Sequence, residues 1–148
     1  MSMIRLCFAA TVGAVIALAP ARAHDHATGV IKDRMDMMET MARHMKAIGQ
    51  RVKSQSDLAA IKKDALAIKA HSGHIVHMFP PGSTQAPTDA RPEIWKNWPD
   101  FEAKAKAMET ASTNLAEVDA GDPAKVSAAA AALSRSCSDC HERYRAKK

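Results

Sequence analysis

The chain has 148 residues and a formal net charge of +5 at pH 7, and its acidic and basic residues are interspersed. Without a clustered stripe of lysine and arginine, the sequence does not indicate a nucleic-acid-binding surface. The length favours one small domain, and the mild basic excess is better suited to encounters with acidic partners.

The first 23 residues have the features of a secretory signal peptide. Arg5 supplies a positive charge, an apolar stretch follows from Leu6 to Ala19, and Ala21-Arg22-Ala23 fits the small-x-small pattern that signal peptidase cleaves. The apolar stretch is shorter than the roughly 20 residues that a membrane-spanning helix needs. We therefore expect export to the periplasm and removal of residues 1–23.

The expected mature chain is a single domain, residues 24–148, without an integral membrane span. Cleavage would remove two arginines and no acidic residue, which lowers the formal net charge from +5 to +3. It would also leave Cys137 and Cys140 as the two cysteines of the domain.

The apolar spacing of the mature chain predicts helices and no strand. The first helix runs from about Gly29 to Lys53. Two positions of each heptad form a strict seam along it. The seam comprises Ile31, Arg34, Met38, Met41, Met45, Ile48 and Val52. The second helix begins after Ser56 or Asp57, either of which can cap it, and its apolar face continues to Phe79, before Pro80-Pro81-Gly82.

Residues 80–92 form one long connection rich in proline, serine and threonine. The third helix is predicted from about Pro92 to Val118, and Asp122-Pro123 opens the fourth as N-cap and first helical residue. Short links within each helix pair imply antiparallel neighbours. The fold class predicted is therefore all-α, an up-down-up-down antiparallel four-helix bundle.

The fourth helix carries the chemistry. Cys137-Ser138-Asp139-Cys140-His141 is the C-x-x-C-H sequence of c-type haem attachment, in which two thiols join the haem and the histidine binds the iron. At spacings of three and four residues, the three side chains share one helical face. We predict one covalent haem c held by Cys137 and Cys140, with His141 as the proximal iron ligand.

Other interpretations of the two cysteines fit less well. A redox dithiol usually stands at the start of a helix that follows a strand, and no strand is predicted. A zinc site needs two further ligands, and none lies nearby in the sequence.

The late C-x-x-C-H motif, followed by Tyr144-Arg145, resembles the class II cytochromes c, the cytochrome c-prime family. Other shared features occur in the family's order: Val30-Ile31-Lys32-x-Arg34, Phe79-Pro80-x-Gly82-Ser83, and Pro92-Glu93-Ile94-Trp95-x-x-Trp98-x-x-Phe101. The resemblance implies an antiparallel bundle with the haem among the helices. In some members the first two helices form a homodimer interface, which leaves a homodimer open here.

The resemblance also implies the remaining site residues. Met38 occupies the position that faces the open side of the iron, where low-spin members have methionine and high-spin members a non-ligating apolar residue. Met38 could instead fill the core, and the nearby methionines and His44 are alternatives. Arg34 and Arg145 are expected at the haem edge or a propionate. Arg34 could equally be solvated, and Arg145 could complement the helix C-terminus.

The function expected is a periplasmic electron carrier with His141 and Met38 as axial ligands and redox partners of unknown identity. The alternatives are a high-spin cytochrome c-prime that binds NO or CO and, less favoured, a peroxidase-like enzyme using Arg34. His71, His74 and His77 could hold a metal but are better explained as a solvated or partly packed helix face. After cleavage, the His24-Asp25-His26 terminus could bind Cu(II) or Ni(II).

Overall fold

The computed structural model describes residues 26–147. Its elements are α1 (Gly29–Ser54), α2 (Leu58–Ser72), a 3₁₀ turn (Ile75–Met78), α3 (Glu93–Lys96), α4 (Trp98–Glu117) and α5 (Pro123–Tyr144). The four long helices form the predicted bundle: α1 packs on α2 and α5, and α4 packs on the same two helices. Three-residue and five-residue links join α1 to α2 and α4 to α5.

One hydrophobic core runs between the four long helices. Its fully buried members come from every one of them and include Ile48, Ile61, Ile68, Phe101, Leu115, Val126 and Leu133. Burial of such side chains contributes about 1.5–3 kcal/mol each. The two cysteines of α5 are half-buried and pack against this same core.

The buried face of α1 comprises four of the seven predicted seam residues, Ile31, Arg34, Met41 and Ile48, together with Met37. Met37 and Met41 are buried, whereas Met38, Met45 and Val52 are half-buried and pack against the core from its edge. A straight α-helix has 3.6 residues per turn, so a strict seven-residue pattern drifts around its surface. Met38, Met45 and Val52 therefore form a flanking stripe beside the buried one.

Two of the predicted helices are not continuous α-helices. The second helix ends as α-helix at Ser72 and continues, after a turn at Gly73, as the 3₁₀ turn 75–78. The third helix is broken at Asn97, whose backbone leaves the helical region at φ −129° and ψ 47°. Pro99 explains the break, because in a continuous helix it would have no N–H to donate to the carbonyl of Trp95 and its ring would clash with that carbonyl.

The predicted start of the fourth helix is confirmed. Asp122 is the N-cap of α5, and its carboxylate accepts a hydrogen bond of 3.0 Å from the backbone N–H of Lys125. Asp57 also occupies an N-cap position, at the start of α2, but its side chain makes no capping hydrogen bond. Within residues 26–147, no helix is long and apolar enough to cross a membrane.

Candidate haem site

The C-x-x-C-H residues lie on the last two turns of α5. Cys137 and Cys140 are half-buried free thiols, while His141 is exposed. Both thiols pack against the core. The structure therefore places the three predicted haem-binding side chains together on one continuous helical segment.

The protonation of these side chains follows from their surroundings. Burial raises the pKa of the Cys137 thiol and raises that of Cys140 to about 11, so both thiols are protonated at neutral pH. Partial desolvation, and then the positive charge of Arg145, lower the pKa of His141. A lowered pKa favours the neutral imidazole that an iron ligand requires.

Met38 lies on the flanking stripe of α1, half-buried against the core that also contacts both cysteines. Its neighbour Met37 is buried and instead lines an outer groove between α1 and α2, together with Asp33 and His71. Met38 and Met45 share the position at the core's edge. The assignment of Met38 as distal iron ligand remains a prediction.

His44, the non-methionine alternative, faces α2. Its Nδ1 lies 2.8 Å from Asp64 Oδ1, and the other oxygen of that carboxylate accepts a 2.5 Å hydrogen bond from Arg51. This polar network ties α1 to α2. Its geometry disfavours His44 as an iron ligand, because the ring is already held by a carboxylate.

Arg34 is 3% exposed, so the interpretation of it as a solvated side chain is wrong. Its guanidinium donates to Met78 O (3.3 Å), Ser83 Oγ (3.2 Å), Ser83 O (3.1 Å) and Thr88 Oγ1 (2.8 Å). Its central carbon lies 4.4 Å from the ring centroid of Phe79. Sequence reasoning missed these partners, because they lie 44 to 54 residues away in an irregular segment.

Those four hydrogen bonds occupy both terminal nitrogens of Arg34, and every acceptor is uncharged. No ion pair to Arg34 occurs among the described residues. Burial accordingly lowers the pKa of this arginine. A buried cation without a counter-ion is costly, so this side chain suits a nearby anion such as a haem propionate. That contact remains a prediction.

Arg145 is exposed and is the C-cap residue of α5, where its N–H donates to His141 O at 3.0 Å. Its Nε lies 3.7 Å from Asp89 Oδ2. The backbone at Arg145 forms an isolated antiparallel bridge with Ala90. The side chain thus belongs to a junction between the C-terminal segment and the long connection, and its expected haem-edge contact stays a prediction.

An aromatic cluster braces the same end of the bundle. The ring of Phe101 lies 4.9 Å from Phe79, 5.5 Å from Trp98 and 5.4 Å from Tyr144. The hydroxyl of Tyr144 donates a 2.5 Å hydrogen bond to Asp100. Both tryptophans, Trp95 included, are half-buried and pack against the core.

The histidines near the end of α2 are not clustered with other metal-donor side chains in the part of the chain that the structure describes. His71 is half-buried, His74 and His77 are exposed, and no group of three metal-donor side chains occurs within residues 26–147. The predicted solvated or partly packed face is therefore the better description. His26 is exposed, but the copper motif begins at His24, outside the described residues, as does the predicted signal peptide.

The donor set fits a c-type haem. Two reduced thiols three residues apart, an imidazole on the next residue, a thioether on the facing helix and a buried uncompensated cation supply the covalent, axial and electrostatic partners of such a group. The bundle core beside α5 supplies apolar surroundings. The same residues would not suit zinc, for which four ligands are needed.

Comparison with known proteins agrees with this chemistry. The family model described as Cytochrome C' matches residues 29–145. The chain is 32% identical to cytochrome c-556 of Agrobacterium tumefaciens (strain II Chrys), over 81% of this chain and 99% of that protein. It is 36% identical to cytochrome c' of Alcaligenes xylosoxydans xylosoxydans, over 80% and 94%.

Solved structures show the same fold. A cytochrome c' with an unusual ligand-controlled dimer dissociation superposes with a TM-score of 0.73 at 28% identity, covering 80% of this chain and 95% of that one. A nitric oxide complex of a mutant cytochrome c prime from Alcaligenes xylosoxidans gives a TM-score of 0.72 at 35% identity, covering 80% and 94%.

The matched segment spans the whole bundle and includes every predicted haem-site residue. Proteins of the matching family are periplasmic, non-enzymatic haem proteins of electron transport, and each carries one covalent haem c. This chain belongs to the cytochrome c' family.

Proposed function

We propose that this protein is an electron carrier whose haem iron is bound by His141 on one side and by Met38 on the other. The haem, once bound, supplies an iron that cycles between Fe(II) and Fe(III). The chain's own residues hold the group, exclude water and set the potential. Histidine–methionine ligation raises the potential into the range of electron carriers.

The observation that carries the proposal is the placement of Met38. Its thioether belongs to a residue half-buried at the edge of the core that also packs against Cys137 and Cys140. Arg34 precedes it by one helical turn and is anchored by four hydrogen bonds. Residues four apart lie on neighbouring positions of one helix face, so the anchoring of Arg34 supports the proposed role of Met38.

Substitution of Met38 tests the ligand assignment. We expect Met38→Ala to convert a low-spin optical spectrum to a high-spin one and to lower the reduction potential, because the thioether ligand is lost. Met45→Ala is the matched control, since Met45 has the same half-buried position two turns further along α1. A low-spin spectrum that survives in Met38→Ala but is lost in Met45→Ala would reassign the ligand.

A gas-binding function is the second candidate, because solved relatives include nitric oxide complexes of cytochrome c prime. It requires an iron position left open on the Met38 side. The two candidates differ in their prediction for carbon monoxide. An open site binds it at once, whereas a methionine-ligated iron binds it only after the thioether has dissociated.

We further propose that the chain is exported and cleaved after Ala23.

We also propose that the mature protein self-associates through α1 and α2. Leu66 on α2 is the one large hydrophobic residue that is markedly exposed within the described part of the chain, at 44%. A related cytochrome c' is described as having an unusual ligand-controlled dimer dissociation. Sedimentation velocity of the wild type and of Leu66→Glu tests this. A wild type that stays monomeric at high concentration contradicts it.

A further inference from the structure

The connecting loop, residues 79–92, touches both sides of the haem site. At its beginning it meets Arg34 on α1, one turn before Met38. At its end, Arg91 N–H donates to Tyr144 O at 3.0 Å and Ala146 N–H donates to Asp89 O at 2.8 Å. Those C-terminal partners begin three residues after His141.

The contacts form a continuous path through Thr88. Its hydroxyl oxygen accepts 2.8 Å and 3.2 Å hydrogen bonds from Arg34 and from the backbone N–H of Ala90, respectively. Ala90 is the residue that forms the antiparallel bridge with Arg145, whose own N–H is bonded to His141 O. One chain of polar contacts therefore joins α1 to the C-terminus of α5.

Arg34 donates hydrogen bonds to two residues of the loop and to the 3₁₀ turn that precedes it. The loop contains no helix or strand. The guanidinium of Arg34 donates hydrogen bonds to carbonyl and hydroxyl oxygens of three residues that are well separated along the chain, Met78, Ser83 and Thr88. Five donors in a rigid planar fork let arginine bind several acceptors together, which the compact ammonium of lysine does less well. Without the fork, these acceptors lose the donor that holds the loop against α1.

We propose that Arg34 is a positioning residue that clamps the connecting loop and thereby couples the turn of Met38 to the turn of His141. The inference rests on the proposed function for its effect at the iron, but its effect on the loop does not. The coupling role concerns hydrogen-bond geometry and is separate from any attraction between the arginine's charge and a propionate.

Hydrogen exchange and carbon monoxide binding, both measured on the holoprotein, test the clamp. In Arg34→Met we expect exchange of the Arg91 and Ala146 amides to become about tenfold faster, and carbon monoxide binding to the reduced protein to accelerate about tenfold. Thr88→Val should accelerate both amide exchange and carbon monoxide binding, by a smaller factor. It provides the test if Arg34→Met folds poorly.

Arg34→Lys separates the clamp from a simple charge effect. It keeps the positive charge but not the fork, so we expect it to resemble Arg34→Met. Leu115→Ala, a core truncation at the opposite end of the bundle, controls for lost global stability and should leave both readouts near wild type. The proposal is overturned if Arg34→Lys has wild-type rates of amide exchange and carbon monoxide binding. It is also overturned if Leu115→Ala accelerates both rates as much as Arg34→Met does.

The two proposals fail in different ways. If the iron is open on the Met38 side, carbon monoxide binds rapidly in every variant, yet exchange at Arg91 and Ala146 still reports the clamp. If Arg34 does not hold the loop, exchange at these amides is unchanged in Arg34→Met, whatever the spectrum of Met38→Ala shows.

Discussion

Phe101 is the centre of the aromatic cluster that braces the haem end of the bundle, and Phe101→Leu should destabilise the fold measurably. The residue is 2% exposed, and its ring contacts three others at centroid distances of 4.9 Å, 5.5 Å and 5.4 Å. Leucine keeps most of the apolar volume but removes all three aromatic pairs, which isolates the contribution of ring geometry.

The expected magnitude follows from those contacts. Aromatic pairs contribute about 0.5–1.5 kcal/mol each beyond burial, and the change of shape adds about 1 kcal/mol. Because neighbouring contacts do not add fully, we expect the free energy of unfolding to fall by about 2–4 kcal/mol.

Urea unfolding of the holoprotein, followed by far-ultraviolet circular dichroism, measures this loss from the shift in midpoint at constant slope. Leu66→Ala is the control, because Leu66 is 44% exposed and should change stability by less than about 0.5 kcal/mol. A loss for Phe101→Leu as small as that of Leu66→Ala would refute the structural role assigned to the cluster.

Three further predictions concern titration, attachment and metal binding. Burial first, and then the hydrogen bond to Asp100, raise the pKa of Tyr144 to about 12. The neutral Tyr144 hydroxyl therefore stabilises the fold fully below the ordinary tyrosine pKa near 10, and this stabilisation is lost as pH rises through 12. The urea midpoint of the wild type should therefore fall more steeply above pH 10 than that of Tyr144→Phe, and parallel curves would contradict this. Cys140→Ala should leave a haem attached through Cys137 by one thioether or lose it, as pyridine haemochrome spectra will show; two intact attachments would contradict the assignment. If cleavage follows Ala23, the mature protein should give a visible d–d band with Cu(II) that disappears in His26→Ala, and no band in the wild type would exclude the copper site.

The sequence predicted the helices better than their ends. Apolar spacing identifies the bundle because each long helix must bury one face, and Asp122-Pro123 marks a real N-terminus. The break at Asn97 was foreseeable from Pro99 but was outweighed by the apolar face that continues past it. Four of the seven predicted seam residues of α1 are buried, whereas Met38, Met45 and Val52 lie at the edge of the core, because the helix keeps its natural period rather than a strict heptad.

The covalent haem site could be predicted because its residues are consecutive along one helix. The surroundings of Arg34 could not, because Ser83 and Thr88 lie in a segment without periodicity, and only the folded chain brings them to α1. The pairing of Tyr144 with Asp100 is hidden for the same reason, being a contact between residues 44 apart.

The optical spectrum of the purified protein, recorded oxidised and reduced and with and without carbon monoxide, tests the central claim most directly. Ligation by His141 and Met38 predicts a low-spin spectrum in both states, a thioether-to-iron charge-transfer band when oxidised, and a reduced spectrum that carbon monoxide alters only slowly. A high-spin, five-coordinate spectrum that carbon monoxide changes at once would contradict the electron-carrier assignment and establish an open site on the Met38 side.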